Sequence, residues 1–162
     1  MLKDKYHLAL KVTDQMQTGT ELPILNFEFS RTQIFMYSAV TWNRHRIHYD
    51  SKAAQEEGHP DVLVQRGLIG NIFSRYANEV FVDNFITNIS WKVISSVLPE
   101  QTLQCKGVIT KITNTSSKEE VELDLTLHHH ETLVCTATLK ARAEQVADTA
   151  RPLAWNSRVA SS

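Results

Sequence analysis

The sequence is poor in cysteine, has no long apolar run and shows no excess of one charge. Cys105 and Cys135 are the only cysteines among 162 residues; two are too few for a disulfide framework and predict buried thiols in a reducing compartment. Lysine and arginine total 17, and aspartate and glutamate total 18, giving a formal net charge of -1. Nucleic-acid binding requires a basic surface, and a membrane span requires about 20 consecutive apolar residues. The composition therefore predicts a cytoplasmic protein that binds neither nucleic acid nor a membrane.

Several short motifs are also missing. No P-loop or dinucleotide-binding fingerprint occurs, so nucleotide hydrolysis and hydride transfer are not expected. The amino end, "MLKDKYHLALKV", lacks the apolar core of a signal peptide. The length suits one domain with a real core. We expect that domain over residues 1–143, followed at 144–162 by an aperiodic tail that lies on the surface or is partly disordered.

Four segments that follow the middle of the chain alternate apolar and polar residues, which is typical of antiparallel strands with one buried face. In 121–129, "VELDLTLHH", the predicted buried residues are Val121, Leu123, Leu125 and Leu127. In 133–141, "LVCTATLKA", they are Leu133, Cys135, Ala137 and Leu139. Two more strands are predicted at 102–112 and 88–98, and a fifth at 8–16.

Two helices are predicted before these four strands. A short helix over 51–59 opens at Ser51, which can cap it, and stops at Gly58. A longer helix over 67–81, "GLIGNIFSRYANEVF", carries an apolar arc too broad for a surface helix. Gly70 within it permits close approach of a strand. The whole pattern predicts an α+β fold in which a curved antiparallel sheet wraps around one buried helix.

The segment "TWNRHRIHYD", residues 41–50, concentrates polar and titratable side chains. It contains no glycine, proline or serine, which are common in solvent loops, and it includes Trp42 and Tyr49, which favour partial burial. We therefore expect part of it to be packed, with polar groups facing a shared cavity. Histidine titrates near neutral pH and is a ready general acid or base. Composition alone equally allows His48 to be a structural histidine held by hydrogen bonds.

The runs "YSAVTWNRHRIHYD" and "AAQEEGHPDVLVQRGLIGN" resemble the MaoC-like hydratases and dehydratases of the hot-dog fold. The chain looks most like the branch that includes 3-hydroxyacyl-thioester dehydratases and mesaconyl-CoA hydratases. The resemblance is close from Tyr37 to Asn71 and extends more weakly, through the strand pattern, to about residue 143. It implies a single hot-dog domain whose central helix opens at Gly67.

The resemblance also implies roles for three residues. His48 falls at the catalytic histidine, and Asn43 falls where the broader family has a catalytic aspartate. Gly67 falls at the glycine whose backbone N–H faces the thioester carbonyl, and a helix N-terminus suits a developing enolate oxygen. The implied enzyme is a hydro-lyase that adds water reversibly to a 2-enoyl thioester. His48 would be its general acid and base, Asn43 would orient the water, and the Gly67 N–H would be the oxyanion donor.

Two positions depart from the broad family pattern. Asn43 cannot take up a proton, so His48 must do the proton work alone or share it with His45. Arg66 stands where the family commonly has histidine, and either binds a substrate carboxylate or phosphate or faces solvent. These departures keep open a non-catalytic alternative, a thioester-binding or structural subunit of a heteromeric hydratase. A hot-dog thioesterase is a further alternative, for which Glu79 is the acidic candidate.

Other charged residues of the segment have two interpretations each. Asp50 either orients His48 or steadies the helix that begins at Ser51. Arg44 and Arg46 either contact a coenzyme A phosphate or are solvated.

We expect an acyl-CoA or acyl-carrier thioester as substrate, with no metal and no redox cofactor. Residues 128–130 are three histidines, but strand alternation places only His128 and His130 on one face, too few for a metal site. A lone hot-dog domain leaves a sheet edge and an apolar face open. We therefore expect a homodimer, with the site in a tunnel near the interface.

Overall fold

The computed structural model describes residues 17–81, 84–114 and 119–143. The helices are α1 (Arg31–Thr41), α2 (Ser51–Glu56) and α3 (Arg66–Val80), with a 3-10 turn at Arg46–His48. The strands are β1 (Leu25–Phe27), β2 (Asn84–Val93), β3 (Leu103–Asn114), β4 (Glu119–His129) and β5 (Thr132–Ala143). No helix in these described ranges is long and apolar enough to cross a membrane.

The strands form one antiparallel sheet in the order β1-β3-β4-β5-β2. The four predicted strands are confirmed, although β2 lies at Asn84–Val93 rather than at 88–98. It ends early because the N–H groups of Ile94 and Ser95 both turn to the carbonyl of Val134. The predicted strand at 8–16 lies outside the described residues. The fifth strand of the sheet is β1, which was not predicted.

The predicted alternation of the sheet is confirmed on β4, where all four expected residues are buried. On β5 it holds for Cys135, Ala137 and Leu139 but is wrong for Leu133. A register shift beside Leu127 leaves Val134 without a partner on β4 and places it in the core, whereas Leu133 is only half-buried. One unpaired residue of this kind reverses the alternation locally.

Helix α3 lies against the sheet, as its broad apolar arc predicts. Six of its apolar side chains are buried: Ile69, Ile72, Phe73, Tyr76, Ala77 and Val80. Each large side chain removed from water stabilises the fold by about 1.5–3 kcal/mol. The close approach expected at Gly70 is confirmed, since a methyl group there would lie 2.5 Å from Cε2 of Trp91 on β2.

The short helix α2 is confirmed, but its predicted cap is wrong. The N-cap is Asp50, whose Oδ1 accepts hydrogen bonds from the N–H groups of Lys52 at 3.0 Å and Ala53 at 3.1 Å. Ser51 is the first helical residue, and its hydroxyl donates to Asp61 instead. Gly58 follows the helix in the left-handed region, at φ 86°, as a helix stop requires.

Candidate active site

Helix α1 carries the beginning of the site. Ser30 caps it, because the Ser30 hydroxyl accepts from the N–H of Gln33 at 3.2 Å and the Gln33 side chain accepts from the N–H of Ser30 at 2.9 Å. The helix ends at Trp42, which is left-handed at φ 54°. An L-residue pays about 1–2 kcal/mol for that conformation. The reversal lets the N–H of Asn43 reach the carbonyl of Ser38 at 2.9 Å and fixes where Asn43 stands.

The Asn43 side chain is held by one of its two polar atoms. Its Oδ1 accepts a hydrogen bond from the backbone N–H of His45 at 3.1 Å. The amide NH2 group has no partner in the described part of the chain and therefore remains available as a donor. The side chain is half-buried.

His48 lies in the 3-10 turn with Nδ1 2.8 Å from the carbonyl oxygen of Leu63. A carbonyl can only accept, so Nδ1 carries the hydrogen, and Nε2 of the neutral ring is an acceptor without a hydrogen-bond partner among the described residues. The backbone reinforces the contact, since the N–H of Leu63 donates to the carbonyl of Ile47 at 2.9 Å.

Burial lowers the pKa of His48 below its ordinary value. The hydrogen bond to Leu63 opposes this effect, and the neighbouring His45 adds to it. The His45 and His48 rings meet edge-on, with centroids 5.9 Å apart. His45 itself is exposed, with Nε2 3.2 Å from the Glu57 carboxylate. His48 is therefore neutral near pH 7, which is the form that a general base needs.

The amino end of α3 is open. Gln65 is the N-cap residue but makes no side-chain cap hydrogen bond. The N–H groups of Arg66, Gly67 and Leu68 have no partner in the ranges that the structure describes. The Tyr37 hydroxyl lies directly against Gly67, and a methyl group added there would overlap it and lie 3.3 Å from the ring atom Cζ. Unpaired N–H groups and the helix dipole favour negative charge at this point.

Arg66 is exposed at the first position of α3. Its backbone carbonyl accepts from Nε1 of Trp91 at 3.1 Å, which ties the first turn of the helix to β2. Its guanidinium has no ion-pair partner among the residues that can be described.

The four predicted site residues therefore fall on two neighbouring structures, the α1–α2 connection and the segment 63–67. Leu63 contacts the α1–α2 connection at His48 and Ile47, and Gly67 contacts Tyr37 at the end of α1. No hydrogen bond within the described ranges links Asn43 directly to His48, or His48 directly to Gly67. Tyr37 and the Leu63 carbonyl were not predicted. The spacing of Ser30 and Gln33 is a capping-box pattern and could have located α1.

Three of the remaining charged candidates, Asp50, Arg46 and Glu79, make structural contacts. Asp50 caps α2 and pairs with Arg46 at 2.5 Å, so it does not orient His48. The guanidinium of Arg46 is engaged in this ion pair with Asp50, and Arg44 is exposed. Glu79 lies in the last turn of α3, 3.9 Å from Arg75.

The histidine run also differs from its prediction. Strand β4 ends at His129, and His130 is left-handed at φ 50° in the following turn. His128 and His130 therefore do not share a strand face. His129 Nδ1 lies 3.1 Å from the carbonyl of Thr102. The described residues contain no cluster of three or more histidine, cysteine, aspartate or glutamate residues that could hold a metal ion.

Solved structures of similar shape include hydratases and dehydratases. An R-hydratase from Pseudomonas aeruginosa superposes with a TM-score of 0.72 at 12% identity, covering 85% of this chain and 91% of that one. The (R)-hydratase from A. caviae involved in PHA biosynthesis gives 0.69 at 12% identity, covering 81% and 99%. A 3R-hydroxyacyl-ACP dehydratase complex from Mycobacterium tuberculosis gives 0.65 at 16% identity, covering 78% and 96%. The fold is the hot-dog fold of the MaoC-like hydratases and dehydratases, as predicted.

Sequence comparison identifies the family. The model of hydroxyacyl-thioester dehydratase type 2 matches residues 4–99, and the chain belongs to that family. It is also 39% identical over 67 residues to mesaconyl-C(4)-CoA hydratase from Chloroflexus aurantiacus. That match covers 37% of this chain and 24% of the relative, so the chain spans about a quarter of the length of that protein.

Proposed function

We propose that the protein catalyses the reversible hydration of a 2-enoyl thioester to a 3-hydroxyacyl thioester. The observation that carries this proposal is the contact between His48 Nδ1 and the Leu63 carbonyl. In the neutral ring it assigns the hydrogen to Nδ1 and leaves Nε2 as the acceptor, and Leu63 lies on the segment that leads to the open N-terminus of α3. A family of hydroxyacyl-thioester dehydratases supplies the class of substrate.

In the hydration direction, His48 Nε2 takes a proton from water while the water oxygen bonds to C3 of the substrate. The electrons of the double bond move toward the thioester oxygen, and the proton is then delivered to C2, which returns His48 to its neutral form. General base catalysis of this kind is worth about 10²–10⁴ in rate. Because Asn43 cannot accept a proton, one histidine serves both steps, and the free amide NH2 of Asn43 donates to the water oxygen and orients it.

The enolate-like oxygen forms at the amino end of α3, where the Gly67 N–H donates to it. Removing one donor of an oxyanion site costs about 10²–10³ in kcat in other enzymes. The thioesterase alternative is disfavoured because Glu79 lies twelve residues further along α3. At 1.5 Å per residue, that places it about 18 Å from Gly67.

Arg66 is proposed to bind an anionic group of the substrate. It is an exposed cation without an ion-pair partner in the described ranges, one residue before Gly67. The name of the Chloroflexus aurantiacus relative indicates that its thioester carries a free carboxylate. If this chain uses a similar substrate, Arg66→Met will raise KM for mesaconyl-CoA and leave KM for crotonyl-CoA, which has no carboxylate, nearly unchanged.

The working unit is proposed to be a cytoplasmic homodimer. Strand β2 ends the sheet and carries two exposed apolar side chains, Phe85 and Trp91, and a third, Ile94, follows it directly. An unpaired edge of this kind is a template for pairing with a second copy. The two cysteines are buried free thiols, as is common in a reducing compartment. The domain limits of 1–143, with a tail at 144–162, are part of the same proposal.

The experiment follows absorbance of the enoyl-thioester band as purified protein meets crotonyl-CoA and longer or branched enoyl-CoAs. The wild-type protein should remove the band, and His48→Gln should not. The matched control is His129→Gln, which also removes a histidine beside a backbone carbonyl but lies at the end of β4. Activity that survives in His48→Gln would refute the assigned role. A folded wild-type dimer inactive with every substrate would instead favour the non-catalytic subunit.

A further inference from the structure

One hydroxyl group stands at the amino end of α3 without an assigned use. Tyr37 lies on α1, yet its hydroxyl oxygen and ring atoms are the nearest atoms to a methyl group built on Gly67. Gly67 is the second residue of α3, and its N–H is one of the helix donors without an intrahelical acceptor. The Tyr37 hydroxyl and the Gly67 N–H therefore occupy the same small region.

The Tyr37 hydroxyl makes no structural hydrogen bond among the described residues, and it does not accept from the N–H groups that open α3. The side chain is half-buried, and none of the described residues accepts from or donates to its hydroxyl. The buried Tyr76 differs, because its hydroxyl donates to the carbonyl of Pro23 at 2.8 Å.

A buried amide holds Tyr37 in this place. The Nε2 of Gln65 donates to the carbonyl of Ile34 at 2.8 Å and to the hydroxyl of Ser38 at 2.7 Å. These two acceptors lie on α1 on either side of Tyr37, and Gln65 is the N-cap residue of α3. With only 2% of its surface exposed, Gln65 therefore fixes the spacing between Tyr37 and the open end of α3.

We infer that Tyr37 is a second oxyanion donor, whose hydroxyl donates to the thioester carbonyl oxygen beside the Gly67 N–H, and that Gln65 positions it. This inference rests on the proposed function, because it concerns the same oxygen. A phenol is neutral at pH 7, and its O–H is a good donor to an oxygen that gains negative charge. Two converging donors in a partly dry site stabilise such an oxygen more than the ground-state carbonyl.

The kinetic test compares Tyr37→Phe with Tyr76→Phe in the full chain. Tyr37→Phe keeps the ring and removes only the free hydroxyl, so kcat should fall by about 10²-fold, while KM and the melting temperature change little. Tyr76→Phe removes a hydroxyl that the fold uses, so its melting temperature should fall while kcat per folded molecule stays at the wild-type value. A Tyr37→Phe enzyme with wild-type kcat, in a wild-type protein that hydrates crotonyl-CoA, overturns the inference and leaves the proposed function standing.

A spectroscopic test needs no turnover. Bound butyryl-CoA, labelled with carbon-13 at its carbonyl, should show a lower carbonyl stretching frequency in wild-type protein than in Tyr37→Phe. If the wild-type protein is catalytically inactive but this difference is observed, the donor role stands and the proposed function fails. Equal frequencies in the two proteins overturn the donor role.

The positioning role of Gln65 is tested by coupling. Gln65→Leu and Ser38→Ala each weaken the hold of α3 on α1, and both should lower kcat. Combined with Tyr37→Phe, neither should lower it much further, because the hydroxyl they position is already gone. Ser38→Ala keeps this test decisive if Gln65→Leu fails to fold. Fully multiplicative losses in kcat would contradict the positioning role.

Discussion

Nδ1 of His48 and the carbonyl oxygen of Leu63 are 2.8 Å apart, and this contact fixes which nitrogen of the ring faces outward. Leu63 lies only four residues before Gly67, so the segment that orients the histidine also leads to the open end of α3. Small shifts of this segment will therefore change the proposed base and the proposed oxyanion donors together.

The first prediction concerns the pH dependence of activity. Burial lowers the pKa of His48, so the acidic limb of kcat/KM should lie below pH 6.5, near which an unperturbed histidine titrates. His45→Gln removes a smaller, charge-based contribution to that lowering. In His45→Gln the acidic limb should therefore move to higher pH, but it should remain below pH 6.5. An acidic limb above pH 6.5 in the wild-type enzyme would contradict this assignment.

The second prediction concerns stability. The folded-state pKa of His48 is lowered, so between that value and about 6.5 the unfolded chain binds more protons than the folded one. The stability that wild type holds above pH 6.5 should therefore decrease as the pH falls through this window. His48→Gln should lose this part of the dependence. Denaturant midpoints of both proteins between pH 5 and 8 test it, and parallel curves would contradict it.

The third prediction uses the close contact of Tyr37 and Gly67. Gly67→Ala gains up to about 1 kcal/mol of helix preference but overlaps the Tyr37 hydroxyl, and overpacking costs about 1–3 kcal/mol. The substitution should destabilise the wild-type protein. In Tyr37→Phe the nearest remaining ring atom is 3.3 Å away, a tight contact but not an overlap, so Gly67→Ala should cost clearly less stability there. Thermal melts of the four proteins test this difference, and equal losses in the two backgrounds would contradict it.

The fourth prediction concerns Gly70 and Trp91. A methyl group on Gly70 would meet two atoms of the indole ring at 2.5 and 2.6 Å. Because the rigid ring is held by its Nε1 hydrogen bond to the carbonyl of Arg66, Gly70→Ala should destabilise the protein by about 1–3 kcal/mol. Asn71→Ala, at an exposed position of the same helix, is the control and should not be destabilising. Equal melting temperatures for the two variants would contradict the argument.

The fifth prediction concerns the edge strand. Light scattering should give twice the chain mass of 18.4 kDa for the wild-type protein. Phe85→Lys with Ile94→Lys should shift the mass toward one chain, because one lysine on the edge strand and another directly after it oppose pairing. Circular dichroism should show that the variant is folded. A wild-type protein that runs as a monomer at micromolar concentration would contradict the homodimer.

The parts of the fold that sequence predicted are those with a clear period. Strands β3 to β5 and helix α3 each have one face in the core, and their apolar residues repeat accordingly. Helix α1 was missed because its apolar residues do not mark a buried face. Only Ile34 and Ser38 are buried there, while Phe35, Met36 and Val40 are exposed. Strand β1 has three residues, too few to show alternation.

The sequence predicted only the part of the site that is marked by distinctive side chains. The segment 41–50 was located by its composition, which left the role of His48 open, and by the family resemblance, which implied a catalytic role for it. Its orienting partner is a backbone carbonyl, which every residue has, so no sequence pattern marks it. Tyr37 opens the same motif, but the sequence assigns it no role, because its approach to Gly67 depends on how α1 packs against α3.

The residues around His48 rest on their own small apolar cluster of Ile47, Ala54 and Leu63, with Leu98 packed against it, separate from the main core. A cluster of this size can open without exposing the larger one, so this region should belong to a cooperative unit of lower stability than the sheet. Amide hydrogens of α2 and the adjoining turn should exchange with solvent before those of β3 to β5. Substrate entry would then need only this minor unit to loosen, while the sheet stays intact.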